Sequence, residues 1–178
     1  YNNSLESMPV LPSQCRLEIL EMQNNRVEII DEQLFEHTPQ LRRLVLTNNR
    51  LRALPASLIS LDLLQSLQVA GNAIDALPLL GTYLRWPQLE TLFVERNPIG
   101  VLPSGLERIE SLLRINLSGT QVSADDELVG KLMKLVLARP GGNFWTPNGR
   151  RWQSSEAKQA SWAELLAMEI PQGVVVLP

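Results

Sequence analysis

The sequence predicts a solenoid of the α/β class, with a curved parallel sheet on its concave side and short helical or 3₁₀ turns on its convex side. Three observations predict this fold. The skeleton L-x-x-L-x-L-x-x-N-x-L, with other apolar residues at some leucine positions and threonine for asparagine in the last copy, occurs five times at intervals of 23 to 25 residues. Within each copy, apolar and polar residues alternate as in a strand with one buried face. Leu-Pro pairs follow several copies, and proline favours a short turn over a long helix because it fixes φ and lacks a backbone donor.

Each copy of the skeleton predicts one strand and one turn. The copies read LEILEMQNNRV, LRRLVLTNNRL, LQSLQVAGNAI, LETLFVERNPI and LLRINLSGTQV, and they begin at Leu17, Leu41, Leu64, Leu89 and Leu112. Ahead of them, YNNSLESMPVLP aligns with the second half of a copy. The chain is therefore expected to begin inside a repeat and to be a fragment of a longer protein.

This repeat resembles the leucine-rich repeat family in both its period and its signature. The resemblance implies a right-handed leucine-rich-repeat solenoid over residues 1–122, made of a partial first repeat and five repeats. In such a solenoid the strands line a continuous concave surface, which these proteins use for recognition. Function is expected on that surface.

Four asparagines occupy equivalent positions after the first four predicted strands: Asn25, Asn49, Asn72 and Asn97. An amide both donates and accepts hydrogen bonds, so stacked asparagines can satisfy backbone groups that the strands leave free. The sequence therefore predicts a structural asparagine ladder inside the solenoid. Repeat five has Thr120 at this position and lacks a Leu-Pro pair, so the solenoid is expected to end there.

Residues 123–178 are predicted to form a C-terminal α+β cap in the order helix, hairpin, helix, strand. Ser123 with Asp126 predicts a capping box, and the helix that follows is expected to bury a stripe of leucines and a valine. Its members are Leu128, Leu132, Leu135 and Val136. Pro147-Asn148-Gly149 predicts the turn of the hairpin. The second helix is expected at Ser155–Met168 and the final strand at Val174–Leu177.

The concave face is predicted to bind a partner protein through the residues between the skeleton leucines. Small residues in the middle are flanked by charged and aromatic ones, among which Phe93 and an arginine are plausible hot spots. The predicted contacts are Glu21, Arg43, Val45, Gln68, Phe93, Glu95, Arg96 and Arg114. An insertion before repeat four brings Tyr83 and Trp86 together, and packing is favoured there over a second binding spot.

Composition and missing motifs argue against other classes of function. The net charge of −3 offers no general attraction for phosphate backbones or anionic membranes, so neither nucleic acid nor membrane is expected as a partner. Cys15 is the one cysteine and His37 the one histidine, which leaves no disulfide cap, metal site or catalytic constellation. Phosphate-loop and nucleophile-elbow motifs are absent from the sequence. No cofactor is expected, and the chain as given is not expected to be an enzyme.

A second resemblance keeps an alternative function open. The run NNSLESMPVLPSQCRLEIL resembles leucine-rich repeats of bacterial effectors delivered into host cells, some of which carry a ubiquitin-ligase domain. The Cys-x-Asp motif of that ligase does not occur at Cys15, so its catalytic role is not carried over. The 23-residue repeats also resemble intracellular Ras-associated and Roco-type proteins. The alternative is substrate recognition for a larger enzyme, and the expected location is the cytoplasm or a host cytosol. Partner identity and oligomeric state stay open.

Overall fold

The computed structural model describes residues 3–9, 11–13, 15–78, 86–124 and 126–157 of the 178-residue chain. Within these ranges one sheet contains seven strands of three residues each, and each strand pairs with the next one along the chain. The strands are β1 (Ile19–Glu21), β2 (Arg43–Val45), β3 (Ser66–Gln68), β4 (Thr91–Phe93), β5 (Arg114–Asn116), β6 (Asn143–Trp145) and β7 (Arg151–Gln153). Strands β1 to β6 are parallel and β7 runs antiparallel to β6. The predicted solenoid fold with its parallel sheet is confirmed.

The apolar skeleton fixes the register of this sheet. The middle residue of every strand is an apolar residue that joins the core, Trp152 of β7 included, and those of the six parallel strands lie opposite one another: Leu20, Leu44, Leu67, Leu92, Ile115 and Phe144. A shift of one residue would turn this row outward, because side chains alternate between the two faces of a strand. The residues on either side of the row therefore face the open side of the sheet, which is the concave face.

Short helices return the chain along the convex side, as predicted. They are α1 (Gln33–His37) and two 3₁₀ helices at Ala56–Ser60 and Leu106–Arg108. Pro55 precedes the first 3₁₀ helix in an extended conformation with φ −64° and ψ 149°, which proline's ring favours. Its neighbour Leu54 is buried in the core, so a Leu-Pro pair anchors the turn and starts the short helix.

Glu32 joins two convex segments in a way that the sequence pattern does not reveal. Its carboxylate accepts hydrogen bonds from the backbone N–H groups of Ala56 and Ser57 at 3.1 and 3.0 Å. Ser57 in turn donates its hydroxyl to the Glu32 carbonyl at 2.7 Å. The two backbone N–H bonds hold the pKa of Glu32 below its usual value. A side chain from one repeat thus caps the 3₁₀ helix of the next repeat.

Trp86 fills the convex interior where repeat four carries its insertion. The side chain is fully buried, and its indole Nε1 donates to the Leu58 carbonyl at 3.0 Å. A buried indole needs such an acceptor, because an unpaired donor in the core is costly. Trp86 therefore packs, as expected, whereas Tyr83 lies outside the described residues.

The expectation that the solenoid ends with repeat five is wrong for the sheet. β6 continues it in parallel, with Arg114 opposite Asn143 and Asn116 opposite Trp145. The tripeptide Asn-Phe-Trp repeats the arrangement of the earlier strands, in which one buried apolar residue lies between two residues of the open face. Without the surrounding leucine skeleton, however, its sequence indicated only a hairpin. The C-terminal segment therefore adds a rung to the concave face.

The helix α2 (Glu127–Leu137) begins later than the capping box predicted. Asp126, not Ser123, is the N-cap residue, and its Oδ1 accepts from the Leu128 backbone N–H at 2.7 Å. The buried stripe is Val129, Leu132, Met133, Val136 and Leu137. Leu128 and Leu135 are only partly buried, because they lie at one edge of that stripe.

After α2 the chain forms the β6–β7 hairpin and then α3 (Ser154–Ala157). The turn contains Gly149 at φ +88°, a conformation that glycine adopts without a steric penalty. The Gly149 backbone N–H donates to the Thr146 carbonyl at 2.9 Å. The rest of the second predicted helix and the final predicted strand lie outside the described residues.

Candidate functional site

Two rows of side chains cross the concave face, one on each side of the buried central row. We call them the first row and the second row. The first row is Ile19, Arg43, Ser66, Thr91, Arg114 and Asn143. The second row is Glu21, Val45, Gln68, Phe93, Asn116 and Trp145. Because the strands are in register, each row brings together residues that are 23 to 29 positions apart in sequence.

Most of the predicted contact residues are accessible in the structure. Arg96 and Arg114 are exposed, and five others are partly exposed: Glu21, Arg43, Gln68, Phe93 and Glu95. Val45 is the exception, because it is only 5% exposed. It lies opposite Glu21 and Gln68, and its branched side chain is shorter than both of these neighbours. The prediction that Val45 offers a contact surface is therefore wrong.

The four ladder asparagines repeat one set of hydrogen bonds. Asn49 donates its amide to the carbonyls of Met22 and Leu46 at 2.9 and 3.0 Å, and its Oδ1 accepts from the Val27 N–H at 3.1 Å. Asn25, Asn72 and Asn97 likewise each accept from a backbone N–H of the preceding coil and donate to the carbonyl three residues earlier. Each side chain thus satisfies backbone groups of two coils, which holds the rows of the concave face in register.

Thr120 does less at the same position of repeat five. Its hydroxyl donates to the Leu117 carbonyl at 2.7 Å, within its own coil. A hydroxyl has one donor, whereas an amide has two. The ladder pattern therefore weakens where the C-terminal segment joins the sheet.

The residue before each ladder position has a left-handed backbone. These residues are Asn24, Asn48, Gly71, Arg96 and Gly119, with φ between +56° and +70°. Glycine and asparagine tolerate this conformation, whereas arginine does so at some cost. The three of these residues that carry side chains, Asn24, Asn48 and Arg96, are exposed at the border of the concave face.

Because Gly71 has no side chain, the side chain of Arg96 can pass beside it and reach Asn48. Asn48 donates to Asn24 Oδ1 at 2.8 Å, and Arg96 Nη2 donates to Asn48 Oδ1 at 3.4 Å from two repeats away. A Cβ atom at Gly71 would lie 2.4 Å from Asn48 Oδ1. Only glycine therefore leaves room for this arrangement, and Arg96 is oriented by a neutral amide.

Glu95 lies in an unfavourable environment for a carboxylate. Burial raises its pKa above the usual value, against the opposing effects of a backbone hydrogen bond and the charge of Arg96. Its Oε2 is enclosed and has no hydrogen-bond partner among the described residues. Carboxyl groups whose pKa is shifted in this way are enriched at functional sites.

Two aromatic rings form what we call the aromatic corner, Phe93 and Trp145. Their centroids are 5.9 Å apart and the ring planes meet at 81°, a favourable edge-to-face arrangement. Both side chains are partly exposed on the second row. The predicted contact set did not include Trp145, because its segment predicted a hairpin of the cap and not a strand of the concave face. The available signal was the match between Asn-Phe-Trp and the strand tripeptides of the repeats.

Arginines flank the aromatic corner. Arg114 Nη1 donates to the Thr91 hydroxyl at 3.3 Å, and Arg151 Nη2 donates to Asn143 Oδ1 at 2.7 Å. The Arg151 guanidinium also lies over the Trp145 ring, 5.0 Å from its centroid. A cavity of about 390 Å³ lies beside this group and is lined in part by Phe93 and Arg114.

Other chemistry finds little support in the described part of the chain. It contains no cluster of three or more potential metal-ligating side chains. His37 lies at the N-terminal end, where its Nδ1 contacts the Leu11 carbonyl at 3.2 Å, and Cys15 is a free thiol. None of the described helices has the length and apolar character of a membrane span.

Similar proteins agree with this architecture. Residues 15–74 match the family model for the leucine rich repeat. Residues 15–74 therefore consist of leucine-rich repeats, as the sequence pattern predicted.

Two individual proteins illustrate the similarity. Osteomodulin of Bos taurus is 38% identical over 74 residues, which cover 41% of this chain and 17% of that protein. The solved structure of a leucine-rich repeat protein from Leptospira interrogans has a TM-score of 0.59 at 26% identity. That alignment covers 65% of this chain and 29% of the other. The chain thus spans less than a third of the length of either relative.

Proposed function

We propose that this chain is a protein-recognition module that binds its partner protein on the concave face. Leucine-rich repeat proteins generally mediate protein–protein interactions through the surfaces that their solenoids create. The observation that carries the proposal here is the aromatic corner, in which Phe93 and Trp145 present partly exposed rings to solvent. Exposed aromatic groups flanked by polar residues are typical of the centres of protein interfaces.

The surroundings of the aromatic corner support a specific interface over a merely solvated sheet. Arg114 and Arg151 are already oriented by hydrogen bonds, so little side-chain entropy is lost when a partner binds. Glu95 retains an enclosed carboxylate oxygen that has no partner in the described residues. The contact set that we propose is Glu21, Arg43, Gln68, Phe93, Glu95, Arg96 and Arg114, now with Trp145 and Arg151 and without Val45.

The remaining parts of the chain support this surface. We propose that residues 123–178 cap the solenoid, since α2 buries one face against the core and β6 extends the sheet. Within this proposal the chain itself has no catalytic role and needs no cofactor. Substrate recognition for a larger enzyme would use the same face, and the full-length gene sequence distinguishes it from recognition alone.

The test is a quantitative pull-down with three forms of the protein. The wild type is compared with Phe93→Ala/Trp145→Ala and with Ile29→Ala/Val101→Ala, which truncates two exposed apolar residues outside the two rows. Proteins that the wild type and the second variant retain, and the first variant loses, support the concave face. Retention of every partner by Phe93→Ala/Trp145→Ala, and by a further variant with Arg43 and Arg96 reversed to Glu, would refute it. Circular dichroism spectra verify that each variant is folded.

A further inference from the structure

We propose that the C-terminal half of the concave face binds an acidic segment of the partner protein. In this arrangement a carboxylate of the partner binds between Arg114 and Arg151, and an apolar side chain lies against the aromatic corner. The inference rests on the recognition function proposed above and adds the chemical class of the partner.

The first argument is that both arginines are held by neutral groups. Arg114 donates to a hydroxyl, and Arg151 donates to an amide oxygen through Nη2 at 2.7 Å and Nε at 3.3 Å. Within the described residues neither arginine forms an ion pair. A guanidinium has five N–H donors, so each retains donors for a further acceptor. The two cations are therefore positioned while their charge stays uncompensated.

The second argument is the contrast with the N-terminal half of the same face. Arg43 lies on the first row like Arg114, but its Nε donates to the Glu21 carboxylate at 2.9 Å. The charge of Arg43, near the N-terminal end of the first row, is thus neutralised by Glu21, whereas Arg114, near the C-terminal end, has no ion-pair partner among the described residues. The carboxylate of Glu95, two residues after the end of β4, interacts electrostatically with the neighbouring guanidinium of Arg96. An anion is consequently attracted to the C-terminal half.

The third argument is the spacing of the two subsites. Asn143, which holds Arg151, and Trp145 are two residues apart on β6. The Arg151 guanidinium lies over the Trp145 ring, 5.0 Å from its centroid, so the two subsites adjoin each other within the span of two residues in an extended chain, roughly 7 Å. A peptide with an acidic residue and an apolar residue two or three positions apart fits both subsites. A nucleic acid fits less well, because every nucleotide carries a phosphate and Glu90 lines the cavity beside Arg114.

The experiment titrates the isotope-labelled 178-residue protein with two nine-residue peptides, followed by NMR. One peptide has Asp-Ala-Phe at its centre and the other has Asn-Ala-Phe, so they differ by one charge. We expect the Asp peptide to shift the Nε–Hε signals of Arg114 and Arg151 and the indole signal of Trp145. Its affinity should exceed that of the Asn peptide about tenfold, because hydrogen bonds to an ionised acceptor are stronger.

Matched variants separate the effect of position from that of net charge. Arg114→Gln and Arg151→Gln should each abolish the preference for Asp. Arg52→Gln makes the same charge change at an exposed arginine beside the 3₁₀ helix at 56–60, and it should retain the preference. Glu90→Gln removes a carboxylate from the lining of the cavity beside Arg114 and should strengthen binding of the Asp peptide.

Each contrary outcome has a distinct meaning. Equal binding of both peptides at Phe93 and Trp145 would refute the acidic partner and leave recognition by the concave face intact. Shifts confined to residues other than Arg151 and the members of the two rows would refute both proposals. The absence of any shift would refute the acidic preference, while the pull-down decides the recognition function. A polythymidine strand that displaced the Asp peptide at lower concentration would assign the surface to nucleic acid and overturn the proposal.

Discussion

Replacing Asn49 by leucine should destabilise the fold, because leucine keeps the branched shape of the side chain but has no hydrogen-bonding groups. The substitution removes the acceptor of the Val27 N–H and the donor to the carbonyls of Met22 and Leu46. All three contacts are buried, and a buried polar group left without a partner costs about 1 to 3 kcal/mol. The carbonyls of Met22 and Leu46 keep a second donor, in the amides of Asn25 and Asn72. The Val27 N–H alone loses its partner, so Asn49→Leu should lower the free energy of unfolding by about 1 to 3 kcal/mol.

The assay is urea denaturation followed by circular dichroism, with Asn48→Gly as the control. Asn48 is the adjacent residue and carries the same amide, but it is exposed, and glycine tolerates its left-handed backbone. The control should change stability by less than about 1 kcal/mol, since an exposed hydrogen bond has water as an alternative partner. A loss below about 1 kcal/mol for Asn49→Leu would show that the ladder does not hold the coils together.

Two further substitutions test individual features of the concave border. Gly71→Ala places a Cβ atom against Asn48 Oδ1 at φ +63°, so it should cost more unfolding free energy than Gly141→Ala, which has a similar φ and open space around it; equal melting temperatures for the two variants would contradict the steric account. Glu95→Gln should stabilise the protein at neutral pH, because the raised pKa means that folding disfavours the ionised carboxylate. This gain should appear as the pH rises from the unfolded value of about 4.5 through the higher folded pKa, and it should vanish below that window. Chemical denaturation across this pH range measures it, and a gain that was independent of pH would rule out the carboxylate as its cause.

The strands could be predicted well from the sequence, because the leucine skeleton determines at once where each strand lies, which of its faces is buried and how it pairs with its neighbours. Leu44 and its equivalents recur at a nearly constant interval, so one correct repeat determines the others. Local chemistry was less informative about which side chains stay accessible. Val45 occupies an outward position like Phe93, and its burial depends on the lengths of its neighbours across the sheet.

The C-terminal segment could be predicted only in outline for a related reason. Trp145 lies in a tripeptide without the repeat skeleton, and its position on the concave face depends on pairing with β5. Asp126 and Ser123 are both good N-cap residues, so spacing alone did not distinguish them. The bonds from Glu32 to the next 3₁₀ helix join residues 24 and 25 positions apart, beyond the reach of local patterns.

The most direct test of the account measures how tightly a recovered partner binds to matched variants. Isothermal titration should show that Phe93→Ala/Trp145→Ala weakens binding at least about 30-fold, the effect of a hot spot worth about 2 kcal/mol. Ile29→Ala/Val101→Ala should bind within about twofold of the wild type, because surface residues outside an interface contribute little. The opposite pattern, with the partner lost on truncation of Ile29 and Val101 and retained on truncation of the aromatic corner, would contradict recognition by the concave face.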